Sequence, residues 1–156
     1  MLVVLGGVLV LLLPGDEPPP SPPPGPPIHR SGELTIYDDG PYDLDELNPV
    51  HRIELTEEVE LVGASTEAER FFQAAEGVGM GRLPGPVEDT HRACLDLGLQ
   101  PTFGLNSADF KVGIADIKVS DVFCVLTSED RLSVLEVTNK VSDIDSSLTM
   151  RVTTYE

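Results

Sequence analysis

The sequence predicts an α+β domain: an antiparallel sheet with a C-terminal three-stranded meander, covered by two short helices and preceded by an apolar segment and a Pro-rich linker. Three observations carry this reading. The stretch from Val122 to Glu156 alternates apolar and polar residues with a period of 2, the signature of half-buried strands. Two central stretches, Thr66 to Gly77 and Val87 to Leu97, carry helical spacing with start and stop signals. The first 27 residues differ in composition from everything after them.

The meander is read from Val122, Cys124 and Leu126 on one face of its first strand, and from Leu148, Met150 and Val152 on one face of its last. Arg131 to Thr138 supplies the middle strand, and Ser128-Glu129-Asp130 is a polar break short enough for a hairpin. Bare strands are marginal in water, so the apolar face needs a cover. Upstream, Glu33 to Tyr37 reads as a first strand, with Asp39-Gly40-Pro41 as its turn. His51 to Leu55 and Val59 to Val62 read as a further hairpin. Thr66-Glu67-Ala68-Glu69 has the form of a capping box, in which Thr66 and Glu69 satisfy each other's amides. Ala68, Phe71, Phe72 and Ala75 then fall on one helical face, with Gly77 as the stop. The second helix has Pro86 before it and Gly98 after it. From Leu99 to Ser120 the pattern supports no assignment.

Three regions follow from composition: an apolar stretch over 1–13, a linker over 14–27, and one domain over 28–156. Nine of the 14 prolines lie in the linker, and every Lys and Arg lies after it. Met1 to Leu13 is shorter than the roughly 20 apolar residues of a membrane span, yet too uniformly apolar for a soluble helix. It lacks the basic start and small-residue cleavage signal of a secretory peptide. It is read as the remnant of a single-pass membrane anchor. Asp16 and Glu17 after it, with no cation until Arg30, place the domain on the extracytoplasmic side of the cell membrane. The run PPPSPPPGPP from Pro18 to Pro27 favours polyproline II, a semi-rigid stalk of about 3 Å per residue.

The formal charge of −17 makes the surface repel phosphate backbones, which argues against nucleic acid as a partner. The absence of Trp and an aromatic content of 5% argue against a stacking platform for bases or sugars. The run from Gly77 to Arg82 (GVGMGR) fails as a nucleotide loop, because it follows a predicted helix and lacks glycine at its last slot; it is read as a flexible interhelical connection. His29, assigned to the linker, His51, assigned to a strand edge, and His91, assigned to an exposed helix position, are too scattered for a metal site. No serine-hydrolase elbow occurs. No catalytic, cofactor-binding or metal-ligating residue is therefore nominated.

Two features retain chemical interest. The stretch from Asp38 to Glu46 crowds Asp38, Asp39, Asp43, Asp45 and Glu46 into nine residues. These carboxylates could supply some of the roughly six to eight oxygens that Ca²⁺ takes, although the spacing is not that of an EF-hand. The simpler reading has Asp43 and Asp45 pointing outward around Leu44, or bonding turn amides. Cys94 and Cys124 form an even pair, which outside the cytoplasm favours a disulfide pinning the second helix to the sheet. A pair of buried thiols and a catalytic cysteine are the alternatives.

The run Cys124-Val125-Leu126-Thr127-Ser128-Glu129-Asp130-Arg131, with Val134, Leu135, Val137 and Val152-Thr153-Thr154-Tyr155-Glu156, resembles the C-terminal part of small extracytoplasmic domains in membrane-anchored actinobacterial proteins. Tyr42-Asp43-Leu44-Asp45 resembles the Asp-Leu-Asp near their start. The resemblance covers about a third of the domain. It implies a membrane helix, a Pro-rich stalk and an uncharacterised β-rich domain, sometimes attached to a kinase-like cytoplasmic part. That family often has glycine after Thr-Ser-Glu, where this chain has Asp130, a residue that tolerates left-handed geometry. The expected function is a non-enzymatic, membrane-tethered module that binds or senses at the cell surface. The alternatives are a metal-dependent or hydrolytic enzyme using the Asp38 to Glu46 loop, and a structural spacer.

Overall fold

The computed structural model describes residues 24–36, 40–45, 50–51, 59–65, 70–83, 85, 87–100, 111–141 and 147–156. The apolar stretch over 1–13 and most of the Pro-rich linker lie outside them. Among the described residues ten strands form two antiparallel sheets: β1 (Ile28–Ile36), β2 (Gly40–Asp43), β3 (Val50–His51), β4 (Leu61–Ser65), β5 (Arg70–Ala74), β6 (Gly79–Leu83), β7 (Lys111–Gly113), β8 (Val122–Leu126), β9 (Leu132–Val141) and β10 (Ser147–Tyr155). One α-helix, α1 (Thr90–Asp96), occurs among the described residues. The first sheet runs β1-β10-β9-β8-β6 and the second β3-β2-β4-β5-β7. The class is thus antiparallel sheet with helix, as the composition of strands and the single helix require.

The core lies between the sheets. From the first sheet it takes Leu34 and Ile36 of β1, Phe123 and Val125 of β8, Leu135 and Val137 of β9, and Leu148, Met150 and Val152 of β10. The second sheet contributes Tyr42, Leu61, Phe72 and Ala74. Phe72 meets Phe123 edge to face with ring centroids 5.0 Å apart, the preferred geometry for an aromatic pair. The alternate residues of β8 and β9, Val122, Cys124, Leu132 and Val134, turn to the outer face of the first sheet. There α1 covers them through Cys94 and the half-buried Ala93. Asp89 caps α1 by accepting the Arg92 amide at 2.9 Å, and Gly98 follows in the left-handed region at φ 60°.

Several expectations are corrected. The helix predicted from Thr66 to Gly77 is absent from its described part: Arg70–Ala74 is a strand between β4 and β7. Phe72 and Ala74 are buried while Arg70, Phe71 and Gln73 are partly exposed, so a period of 2 wins. Two adjacent aromatic residues suit a pleated surface, and a short run fits both periods. The predicted capping box lies outside the described residues. The GVGMGR run is a strand for most of its length, not an interhelical connection. Its glycines serve close packing. A Cβ at Gly79 would lie 2.8 Å from the Gln100 carbonyl oxygen, and one at Gly81 would lie 2.9 Å from Leu97 and Leu99 side-chain atoms. The chain leaving α1 therefore lies directly on β6. His29 belongs to β1, not to the linker, because pairing with β10 starts at Ile28 opposite Tyr155. His91 is half-buried against Tyr155, with ring centroids 4.4 Å apart.

Candidate functional site

Glu60 is the one carboxylate with no exposed surface among the described residues. It sits just before β4, between Val59 and Leu61, which are also buried. Its backbone is fixed in the second sheet: the amide donates to Tyr42 O at 3.1 Å, and the carbonyl accepts from the Ala75 amide at 2.9 Å. Its side chain reaches across the sandwich. Oε2 accepts the Leu44 amide at 2.7 Å. Oε1 accepts the Ser128 hydroxyl at 2.8 Å and the Ser128 amide at 3.3 Å. One carboxyl thus joins the 43–45 turn after β2 to the 127–131 turn between β8 and β9.

Both partners are locally organised to meet it. In the 127–131 turn, the Thr127 amide donates to Arg131 O at 2.8 Å and the Asp130 amide to Thr127 O at 3.1 Å. Asp130 takes φ 59°, a left-handed position that glycine adopts freely and Asp tolerates. In the 43–45 turn, Asp43 Oδ1 accepts the Asp45 amide at 2.9 Å. Leu44 is held from two sides, its amide by Glu60 and its carbonyl by the Thr154 hydroxyl at 3.3 Å. Thr154 in turn lies 2.6 Å from Ser133 Oγ and accepts Arg30 Nε at 3.3 Å.

Charge is unbalanced in this cluster. Asp45 buries both carboxylate oxygens without a hydrogen bond. Its charge faces Arg131 Nη1 at 3.5 Å, and the same guanidinium also pairs with Glu129. Burial pushes the Glu60 carboxyl up to about 7. The Leu44 and Ser128 hydrogen bonds oppose that rise, and the Asp45 charge adds to it. Removing a carboxylate from water outweighs three good donors. The arrangement can hold or release a proton near neutrality inside a seam between two sheets. With no exposed surface, Glu60 is out of a substrate's reach in this conformation.

Of the Asp38 to Glu46 loop, Asp43 and Asp45 are described, and Asp38, Asp39 and Glu46 lie outside. Asp43 does not point outward but is buried and bonds a turn amide, that of Asp45, as the second form of the simpler reading has it. Among the described residues no group of three or more His, Cys, Asp or Glu is placed to hold a metal ion. Cys94 and Cys124 are brought together, with Sγ atoms 1.99 Å apart and Cα atoms 5.5 Å apart, within disulfide geometry. A concavity of about 440 Å³ lies between Arg82 and Leu83 of β6 and the 118–121 turn. Asp121 already neutralises Arg82 at 2.6 Å, and none of the described lining residues is a buried polar group.

Sequence reasoning missed Glu60 and Ser128. A signal existed in Val59-Glu60-Leu61-Val62, a carboxylate inside an apolar run, but its partner stands 68 residues away. No family model, curated protein or solved structure matches the chain.

Proposed function

We propose that the chain is a membrane-tethered extracytoplasmic module that binds or senses at the cell surface and carries out no chemistry of its own. The observation that carries this reading is the Cys94–Cys124 pair, which ties α1 to β8. Disulfides persist in oxidising compartments and are rare in the cytosol. The apolar stretch over 1–13, the acidic Asp16-Glu17 and the Pro-rich stalk support the same reading in chain order, as does the resemblance of the 124–131 stretch to actinobacterial extracytoplasmic domains. The double sheet offers a rigid head on a stalk.

The test is protease treatment of intact cells expressing the chain with a C-terminal tag. The tag is expected in the membrane fraction and removed by external protease. A tag in the soluble fraction, or one protected until the cells are broken, overturns the proposal.

A further inference from the structure

The sheet edges are unequal. Among the described residues the first sheet ends on β1 and β6, and the second on β3 and β7. β3 has two residues, β7 has three, and β6 has five, two of them glycine. β1 has nine, and among the described residues it pairs with β10 alone. From Arg30 to Ile36 its register runs without a shift. Native proteins keep open edges short, because a row of unpaired N–H and C=O groups is a template for another strand. We propose that β1 is an interaction surface whose partner is a second copy of this chain, the two β1 strands pairing antiparallel about a twofold axis at Gly32.

What β1 offers a partner is main chain rather than apolar area. Leu34 and Ile36 are only 2% exposed and already belong to the core between the sheets. Ser31 and Glu33 are exposed on the outer face. Strand addition of this kind draws its affinity from new ladder bonds and its selectivity from the side chains along them.

The distribution of charge along β1 selects a copy of itself. His29 and Arg30 stand in the first half, Glu33 stands in the second, and Asp38 and Asp39 follow in sequence. An antiparallel copy sets the cationic half against the anionic half twice. Gly32 is the midpoint of Ile28–Ile36, so an axis there uses the whole strand and opposes no side chains at its centre. Each Ser31 then faces Glu33 of the other copy, a hydroxyl donor beside a carboxylate. An axis at Glu33 would instead oppose two carboxylates, an unfavourable pair at directly facing positions. The formal charge of −17 opposes association of two copies. Physiological salt screens exposed charges beyond about 8 Å, which leaves the facing pairs in control.

Sedimentation equilibrium of the full chain in density-matched detergent micelles tests this. The wild type is expected to run between one and two chains as concentration rises. Ser31→Asp sets a carboxylate against Glu33 of the other copy and is expected to weaken the dimer about fivefold, because the change acts twice. Ser31→Lys is expected to tighten it by about the same factor. Val119→Asp and Val119→Lys make the same charge changes at an exposed position in the 118–121 turn, and are expected to leave the dimer unchanged. A wild type that stays monomeric throughout overturns the proposal. So does a dimer that the two Ser31 variants fail to shift in opposite directions, or one that the Val119 variants shift equally.

Discussion

The Ser128 hydroxyl donates to Glu60 Oε1 across 2.8 Å although 68 residues separate the two in sequence. This bond links the hairpin of the first sheet to the start of β4 in the second, at a carboxyl with no exposed surface. Its strength depends on which protonation state the folded protein prefers.

Glu60 has an ordinary value of 4.5 and is pushed up to about 7 in the fold, first by burial. The folded state therefore prefers the neutral carboxyl. The associated stability is fully present below 4.5 and is lost as pH rises through 7. It amounts to about 3 kcal/mol. Denaturant unfolding of wild type and Glu60→Gln at pH 5 and pH 8 isolates it. The wild type is expected to lose about 2.5 kcal/mol more than the variant over that interval, since part of the loss is already taken at pH 5; parallel curves contradict the assignment.

Gly79→Ala is expected to destabilise by about 1–3 kcal/mol, the usual cost of overpacking, because its Cβ would meet the Gln100 carbonyl oxygen at 2.8 Å. That oxygen belongs to the backbone and cannot swing aside. Gly81→Ala meets only the side-chain ends of Leu97 and Leu99, so its cost is expected to be smaller. Equal denaturation midpoints for Gly79→Ala and wild type would show that the 97–100 segment does not pack on β6.

Asp130 sits at φ 59°. Asp130→Gly is expected to leave stability unchanged or raise it by about 0.5 kcal/mol, and Asp130→Val to lower it by about 1–2 kcal/mol, because a β-branched side chain crowds the left-handed backbone and lacks the polar group by which Asp tolerates it. Thermal unfolding of the two variants checks the order.

Legibility in the sequence followed how local the determining interaction was. The alternation of Leu148, Met150 and Val152 was readable, because inward residues recur at every second position of one segment, and all three are buried. The helix at Thr90–Asp96 was readable from its flanking Pro86 and Gly98. Phe71-Phe72 was misread as a helical face because five residues cannot separate a period of 2 from one of 3.6; neighbours β4 and β7 decide it. The glycines of β6 looked like a loop, since the Gln100 backbone that requires them is contributed by another segment. Glu60 was illegible for the same reason: its carboxyl is explained by Leu44 and Ser128, both distant in sequence. Two cysteines leave one intramolecular pairing, and the fold brings Cys94 and Cys124 to disulfide distance.

The proposed tethered extracytoplasmic module is tested most directly by counting thiols. Protein harvested from its native cells, alkylated at once and unfolded without reductant, is expected to carry no label at Cys94 or Cys124, and two labels after reduction. Two labelled cysteines before reduction would contradict the account.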